Sequence, residues 1–271
     1  MTGLALGKSR SPAWTPTQRL FVAWNAERLN LSLAESEARY RRSWAAIEHG
    51  HKGRYFREFN SYSYELYQVF AQDGAQEVFD AYRIHAPMHF LRMLSYNEHH
   101  FDDDHPIVRA LDGIPEVTVI DFGCGLAHQS RALCAYLLEK KRGVRLVLAD
   151  IPTLRREFLL WAGAQSGIPT EFLACTAEQP IPSLPAAHVC IATDFFEHVH
   201  DPVRYFDRID QALVPGALLI ADTEDHAAEF MHVSPRLGAL RKRLIERNYA
   251  TLRAEALFRK PGSPDLNAAA P

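Results

Sequence analysis

VTVIDFGCG, residues 117–125, combines an apolar run, an acidic residue and a pair of glycines. The β-branched start, Val117 to Ile120, is typical of a strand that is buried on both faces. Gly123 and Gly125 supply the backbone freedom that a tight turn from a strand into a helix requires. Such a turn brings main-chain N–H groups and the start of a helix close to a ligand, often a nucleotide. The motif predicts a nucleotide-binding turn but does not identify the nucleotide.

Strands alternate with helices after this motif. Further apolar runs typical of strands span residues 144–150, 170–176, 188–194 and 217–222. Helical segments separate them, at about residues 129–140, 152–165 and 202–213, the last ended by Pro215 and Gly216. A helix at 236–248 and a pair of short closing strands within residues 250–260 follow. Because repeated strand–helix units with apolar strands build parallel sheets, we predict an α/β, Rossmann-like, doubly wound and mainly parallel sheet with helices on both faces.

The chain before residue 117 shows helical patterns instead. Residues 16–29 are typical of a short helix, Ser32 and Glu35 form a capping box, and a bent helix is predicted at 75–96. The aromatic side chains between Tyr55 and Phe70 either hold helices together or line a substrate cavity, and both interpretations stay open. We divide the chain into a loose N-terminus (1–15), a helical cap or lid (16–112), a Rossmann-like domain (113–260) and a disordered tail (261–271).

Length, charge and the pattern of cysteines narrow the classes of function that the chain can have. The chain has 271 residues and a net charge of −3, so no global basic field favours nucleic acid as a partner. No apolar segment reaches the length of a membrane span, and the N-terminus lacks the apolar core of a secretory signal. The four cysteines form no C-x-x-C motif, which indicates reduced thiols. We expect a cytoplasmic protein that acts on a small molecule, and a homodimer stays open.

Polar residues follow the predicted strands in turn. They are Asp121, Asp150, Thr176 with Glu178, Asp194 and Asp222. Ligands of an open parallel sheet bind beyond the carboxyl ends of its strands, near the switch in strand order. Asp150 suits the hydroxyls of a ribose, since a carboxylate accepts two hydrogen bonds from a cis-diol. The alternative for Asp150 is that it caps the helix that begins near Pro152.

The ordered motifs resemble those of the class I S-adenosylmethionine-dependent methyltransferases, especially their small-molecule branch. The matching segments are VIDFGCG, LVLADIP, CTAEQPIP, CIATDFFEHVHDP and ALVPGALLIAD, and the match covers about residues 117–222. The resemblance implies S-adenosylmethionine as the cofactor and methyl transfer as the reaction. The sequence departs from the family pattern at the third glycine, where Ala127 or His128 stands, and at the acid before Ala177, which is Thr176.

The same resemblance implies the residues that hold the cofactor. Asp121, Gly123 and Gly125 would line its methionine part, and Asp150 would bind the ribose. The adenine and the pocket floor would be contacted by Ile151, Thr176, Ala177, Asp194 and Phe195.

Two histidines are the candidate catalytic residues. Methyl transfer from a sulfonium is an in-line displacement, and an oxygen or nitrogen acceptor also benefits from a general base. Histidine suits that role because its reference pKa lies near neutrality. His198 follows the fourth strand and His232 follows the fifth. The alternative for His198 is a structural residue that only hydrogen-bonds a loop.

A metal ion is the alternative chemistry at the same place. Some relatives of this family use an acid–x–x–Glu–His segment and a distant histidine to hold a divalent metal near an acceptor hydroxyl. Asp194, Glu197, His198 and either His226 or His232 could form such a set. The same segment is common in metal-free members, so we assign no metal ion to the site.

We therefore expect an enzyme that transfers a methyl group from S-adenosylmethionine to an oxygen or nitrogen of a small, partly hydrophobic metabolite, a reaction type used in natural-product biosynthesis. One alternative keeps the cofactor but directs an intramolecular cyclisation or an aminopropyl transfer that releases methylthioadenosine. A second alternative is a non-catalytic cofactor-binding scaffold. A dinucleotide dehydrogenase is disfavoured, because its fingerprint needs the third glycine and a fuller second half of the fold.

Overall fold

The computed structural model describes residues 14–51, 79, 83, 90–94, 96, 98–227, 232–254 and 256–262. The predicted aromatic passage at 55–70, most of the predicted helix at 75–96 and the tail from residue 263 lie outside these ranges. The described helices are α1 (Pro16–Leu29), α2 (Leu33–His51), α3 (Pro106–Ala110), α4 (His128–Glu139), α5 (Leu154–Gln165), α6 (Pro202–Ala212) and α7 (Gly238–Glu246). The strands are β1 (Glu116–Phe122), β2 (Gly143–Asp150), β3 (Thr170–Ala174), β4 (Ala187–Ala192), β5 (Leu213–Ala221), β6 (Ala250–Arg253) and β7 (Leu257–Arg259).

The strands form one sheet in the order β3-β2-β1-β4-β5-β7-β6. The five strands from β3 to β5 are parallel, and β7 and β6 close the edge as an antiparallel pair. The chain runs outward from β1 to β3 and then returns to β4 on the other side of β1. The switch in strand order therefore lies between β1 and β4, which is where this architecture binds ligands. The predicted α/β, mainly parallel fold is confirmed.

Each face of the sheet is buried under helices. Val119 belongs to a core cluster that includes Phe158 of α5, whereas its neighbour Ile120 belongs to a second cluster that includes Phe206 of α6. Successive side chains of a strand point to opposite faces, so the apolar run in β1 supplies both cores.

Several element boundaries differ from those predicted. β5 begins at Leu213, four residues before the predicted start at 217, and runs through Pro215 and Gly216, whereas the helix before it ends at Ala212, within one residue of the predicted bound. The register between β4 and β5 shifts after the Ala187–Leu213 pair, and Gly216 adopts a φ of +81° within the irregular section. The short helix α3 was not predicted. β3 and β4 each end two residues earlier than predicted, which leaves their polar C-terminal residues in loops.

The first two helices are confirmed, with one correction at their N-terminal side. The side chain of Thr15 accepts a hydrogen bond from the Gln18 N–H, and the Gln18 side chain accepts one from the Thr15 N–H. Trp14 contacts Tyr40 of α2, with ring centroids 4.7 Å apart. Residues 14 and 15 are therefore part of the packed structure, although the sequence assigned them to a loose N-terminus.

An aromatic cluster joins α1 to the sheet domain. Phe21 and Trp24 of α1 contact Phe158 of α5, at centroid distances of 6.2 Å and 5.6 Å. Phe90 completes the cluster, 5.4 Å from Phe158 and 5.2 Å from Phe21. These four rings are at least nine-tenths buried and belong to the same core as β1 and β2. For these described residues, aromatic side chains hold helices together; a lid over a substrate remains a prediction.

The cysteines are buried on both sides of the sheet. All four are free thiols, with Cys124 and Cys134 in the first core and Cys175 and Cys190 in the second. Burial raises the pKa of Cys134 to about 12 and raises the pKa values of the other three thiols as well. Among the described helices, none has the length and apolarity that crossing a bilayer would take.

Candidate functional site

The glycine turn after β1 passes directly against Phe195. Gly123 has a φ of +70°, and its N–H donates a hydrogen bond of 2.8 Å to the Ala149 carbonyl. A Cβ at this position would lie 2.5 Å from the Phe195 ring. Phe195 is itself packed between Phe122 and Tyr205. Glycine is therefore required here both for its conformation and for its lack of a side chain.

Asp150 closes β2 beside this turn. Its Oδ2 accepts a hydrogen bond of 3.0 Å from the Gly125 N–H, and its Oδ1 accepts one of 2.7 Å from the Ile151 N–H. The helix α5 is capped by Thr153, whose hydroxyl accepts from the Arg155 N–H. The alternative in which Asp150 caps this helix was thus wrong. Asp150 instead ties the end of β2 to the glycine turn.

Arg155 is a site residue that the sequence analysis missed. Its Nη1 lies 3.5 Å from Asp150 Oδ2, and both side chains are largely buried. The same nitrogen lies 3.7 Å from the sulfur of Met93. Helical spacing offers a signal for it, since Arg155 shares the inward face of α5 with Leu159 while Arg156 is exposed. A buried cation beside the proposed ribose acid is a feature that the motifs did not predict.

Asp121 lies beneath the turn. Its carboxyl accepts a hydrogen bond of 2.5 Å from the Ser130 hydroxyl of α4. Burial raises the pKa of Asp121 to about 7, against the lowering effect of the Ser130 hydrogen bond. The Asp121 side chain is 5% exposed, so any effect of its charge on a ligand would act across the glycine turn. Direct contact between Asp121 and a cofactor stays a prediction.

The residues predicted to contact adenine border the same region. Ile151 and Ala177 are partly buried and pack against the core cluster that contains Phe195. Thr176 forms a local turn, in which its hydroxyl accepts from the Gln179 N–H at 3.1 Å. Their contacts with adenine remain predictions.

A group of acids and histidines forms beyond β4; we call it the acid–histidine cluster. One ligand atom from each of its members lies within 4.8 Å of the others, and the members are Asp194, Glu197, His198 and His232. Asp194 has a φ of +52°, and its N–H donates to Asp222 Oδ2 at 3.0 Å. His198 Nε2 lies 3.4 Å from Asp194 Oδ1. The structure thus brings both candidate catalytic histidines together.

The surroundings hold the cluster members in place. The Glu197 carbonyl accepts from the Ser234 N–H, which ties the segment that carries His232 to the loop after β4. His232 Nδ1 lies 3.2 Å from the Ala227 carbonyl. Since a carbonyl can only accept, Nδ1 carries the proton and Nε2 keeps a lone pair in the neutral ring.

Two acids in the cluster have opposite pKa shifts. The hydrogen bond from His198 lowers the pKa of Asp194, whereas burial raises the pKa of Glu197. Glu197 is 1% exposed, and its Oε1 lies 3.7 Å from Nε2 of His226. Carboxyl groups held in such different environments are typical of functional sites.

The residues at the glycine turn fit a nucleoside cofactor. The Asp150 carboxylate keeps lone pairs that could accept from ribose hydroxyls, and it lies beside the glycine turn. The fit has one unusual element, the Arg155 guanidinium beside Asp150.

Comparisons with known proteins find distant similarities among solved structures. No protein-family model matches the chain, and no curated protein matches it either. Among solved structures, the cyclase SpnF is 13% identical at a TM-score of 0.47, with 67% of this chain and 74% of that chain covered. TehB from Haemophilus influenzae is 14% identical at a TM-score of 0.44, covering 63% and 66%. Coclaurine N-methyltransferase bound to N-methylheliamine and SAH is 14% identical at a TM-score of 0.42, covering 76% and 62%.

These similarities are too distant to carry activity or substrate. The sheet order, the switch in strand order and the glycine turn are observed in the structure of the chain itself. The fold is a Rossmann-like, doubly wound sheet with a glycine turn at the switch in strand order.

Proposed function

We propose that the protein transfers a methyl group from S-adenosylmethionine to a small, partly hydrophobic metabolite. The observation that carries this proposal is the switch in strand order between β1 and β4, where this architecture forms its ligand crevice beyond the carboxyl ends of the strands. The glycine turn with Asp150 lies on one side of it, and the acid–histidine cluster lies beyond β4 on the other. A donor site and a set of polar groups for an acceptor therefore meet at one switch point.

On the donor side, the residues of the chain bind and orient S-adenosylmethionine. Asp150 accepts hydrogen bonds from the ribose, and the missing Cβ of Gly123 lets the turn pack against Phe195 beside it. Arg155 holds the Asp150 carboxylate toward the turn before the cofactor arrives. S-adenosylmethionine, when bound, supplies an electrophilic methyl group.

On the acceptor side, His198 and His232 are the proposed catalytic residues. Nε2 of His232 keeps a lone pair because Nδ1 is committed to the Ala227 carbonyl. It can therefore take a proton from an acceptor hydroxyl or ammonium, either directly or through a water molecule. Asp194 orients His198 in the same way that an acid orients the base of many hydrolases.

Calorimetry with Asp150→Asn tests the donor site. We expect this variant to bind S-adenosylmethionine about 10- to 100-fold more weakly, since a charged acceptor of ribose hydrogen bonds is lost. Asp112→Asn is the matched control, because Asp112 is an exposed acid outside the crevice. Equal affinities of the two variants would contradict the assigned ribose site.

Product analysis tests the reaction. The protein is incubated with S-adenosylmethionine and a panel of small phenols, catechols and amines, and the nucleoside product is identified by mass spectrometry. S-adenosylhomocysteine together with a methylated acceptor supports the proposal, and His232→Ala should lower the rate about 100-fold or more. Methylthioadenosine would overturn methyl transfer in favour of cyclisation or aminopropyl transfer. Binding with no product from any acceptor would favour the scaffold alternative.

A further inference from the structure

Separate parts of the chain meet at the carboxylate of Glu98. Its Oε1 accepts a hydrogen bond of 2.8 Å from the Thr17 N–H near the start of α1. Its Oε2 lies 3.7 Å from Nδ1 of His128, the first residue of α4. The side chains of His128 and Glu98 are only 9% and 15% exposed. Since the first N–H groups of a helix have no partner within it, Glu98 satisfies a donor of α1 and also reaches the helix that follows the glycine turn.

These contacts keep Glu98 ionised. Burial raises the pKa of Glu98, but the contacts with the His128 ring and the Thr17 N–H outweigh this effect and lower the pKa to about 2. A negative charge near the start of a helix is favourable, and Glu98 lies near the starts of both α1 and α4. A largely buried charge is costly once its partners are lost. Glu98 therefore holds Thr17 and His128 together.

His128 extends this connection to Met93. Its Nε2 lies 3.0 Å from the Met93 carbonyl, and since a carbonyl can only accept, Nε2 carries the proton. The other ring nitrogen faces Glu98 and the Thr17 hydroxyl, which is 3.4 Å away. The residue before His128 is Ala127, which has a φ of +54° and no polar side chain with which to cap α4. Contacts from outside the helix therefore hold its first residue in place.

Met93 packs against the glycine turn. A Cβ at Gly125 would lie 3.3 Å from the Met93 sulfur, and the same sulfur lies 3.7 Å from Nη1 of Arg155. The Gly125 N–H and Arg155 Nη1 both approach Asp150 Oδ2, at 3.0 Å and 3.5 Å. Met93 is therefore in contact with two of the groups that surround the carboxylate assigned to the ribose.

We propose that Glu98 and His128 are positioning residues of the cofactor site, which act by holding Met93 against Gly125 and Arg155. This inference rests on the proposed function, since it concerns the pocket assigned to S-adenosylmethionine. With Met93 in place, Gly125 and Arg155 keep Asp150 in its observed position, so the ribose acid is oriented before the cofactor arrives. Docking of the start of α1 on Glu98 and binding of the cofactor are then linked, and each favours the other.

Calorimetry with S-adenosylhomocysteine tests the proposal without an acceptor or turnover. Glu98→Gln keeps an oxygen for the Thr17 N–H but loses the charge that faces His128, and we expect it to weaken binding about 10-fold. Met93→Ala should have a similar effect. Met93→Leu, which nearly conserves the volume of the side chain, should restore most of the affinity.

Glu157→Gln is the matched control. Glu157 of α5 pairs with Arg28 of α1 at 3.2 Å, so it also joins α1 to the sheet domain, but the two side chains are 60% and 43% exposed. An exposed pair adds little to stability, and this one lies apart from the residues that contact Met93. The control should therefore bind S-adenosylhomocysteine as tightly as the unmodified protein.

A double variant and an exchange measurement separate positioning from simple stabilisation. If Glu98 acts through Met93, combining Glu98→Gln with Met93→Ala should weaken binding no more than Met93→Ala does alone. Because the link is reciprocal, saturating S-adenosylhomocysteine should also slow hydrogen exchange of the Thr17 N–H, by a factor of about 10. Urea denaturation confirms that each variant is folded, and Glu98→Gln and the exchange measurement suffice if Met93→Ala is not.

The outcomes distinguish this inference from the proposed function. Unchanged affinity of folded Glu98→Gln, or a loss equal to that of Glu157→Gln, would overturn the inference while leaving the cofactor site intact. Additive losses in the double variant, or exchange of Thr17 that does not respond to S-adenosylhomocysteine, would overturn it too, because Glu98 would then only stabilise the fold. If the unmodified protein does not bind S-adenosylhomocysteine, the proposed function is contradicted and this inference falls with it.

Discussion

Gly123 carries two constraints that separate substitutions can distinguish. Its φ of +70° is unfavourable for any residue with a Cβ, and a Cβ would also meet Phe195 at 2.5 Å. Gly167 has a similar φ of +65° but open space around the missing Cβ. Alanine substitutions at Gly123 and Gly167 therefore distinguish the cost of the backbone conformation from the cost of the clash with Phe195.

We expect Gly167→Ala to lower the free energy of unfolding by about 1–2 kcal/mol, the cost of a left-handed conformation. Gly123→Ala should lower it by a further 1–3 kcal/mol or so, because Phe195 is packed between Phe122 and Tyr205 and cannot move freely. Urea denaturation of both variants measures the difference. Equal destabilisation would mean that the ring yields to the new methyl group.

Asp121 makes the stability of the protein depend on pH. Its pKa is raised to about 7 in the folded state by burial, while an unfolded aspartate has a pKa of about 3.9. Between these values the folded state keeps a proton that the unfolded state releases. The unfolded state thus binds fewer protons, and the contribution of Asp121 to stability falls as the pH rises from about 4 to about 7.

Asp121→Asn should abolish this part of the pH dependence. Relative to the unmodified protein, the variant should gain stability between pH 4 and pH 7, by at most about 4 kcal/mol, and the difference should be constant above that range. Urea denaturation at a series of pH values measures it, with the exposed Asp112→Asn as the control. A difference that does not vary with pH would show that Asp121 is ionised throughout.

At the scale of elements, α1 is held on the sheet domain by its aromatic residues. Trp24 is 5% exposed and packs on Phe158, whereas Leu29 at the end of the same helix is 43% exposed. Trp24→Ala should therefore lower the free energy of unfolding by about 3–5 kcal/mol. Leu29→Ala should change it by no more than about 0.5 kcal/mol. Thermal and urea denaturation measure both, and comparable losses would contradict the role of the cluster.

Local signals explain which elements the sequence predicted. The bounds of α1 follow from its proline at the first position and its polar cap, and the capping box of Ser32 and Glu35 forms before α2. The start of β5 could not be predicted, because it depends on a register shift against β4, a pairing between distant parts of the chain. α3 was missed because its cap is the ring nitrogen of His105, which accepts from the Ile107 N–H.

The candidate site likewise contains features that the sequence predicted and features that it could not. Asp150 and Gly125 were both assigned to the cofactor pocket, and they lie together because the carboxyl ends of adjacent parallel strands lie at one edge of the sheet; their hydrogen bond was not predicted. The meeting of His198 with His232 could only be suggested, since it depends on the path of the chain after β5. The burial of Glu197 has no sequence signal, because a short 3-10 turn sets it.

At the scale of the whole molecule, one core connects the N-terminal helices to the sheet. Phe21, Tyr40 and Phe90 belong to the same cluster of buried side chains as Val119 and Leu146. Packed surfaces that share a core lose their contacts together when either part unfolds. We therefore expect the described N-terminal helices to unfold in the same transition as the sheet.

Tryptophan positions make this expectation measurable. Three of the four tryptophans, Trp14, Trp24 and Trp44, lie in the N-terminal part, and Trp161 lies in α5. In Trp161→Phe, fluorescence reports only on the N-terminal part, while far-ultraviolet circular dichroism reports on the whole fold. The two signals should give the same urea midpoint. Separate midpoints would show that the N-terminal helices form an independent unit.

Because the cysteines are buried, the rate at which they are chemically modified reports how often the folded protein opens. Alkylating reagents attack thiolates, and these thiols are both enclosed and held in the neutral form by their surroundings. Because Cys124 and Cys134 lie on one face of the sheet and Cys175 and Cys190 on the other, intact mass spectrometry after a pulse of iodoacetamide distinguishes the modes of opening. Chains with no adducts or four adducts mean that both faces open together, whereas a population with two adducts identifies a face that opens alone.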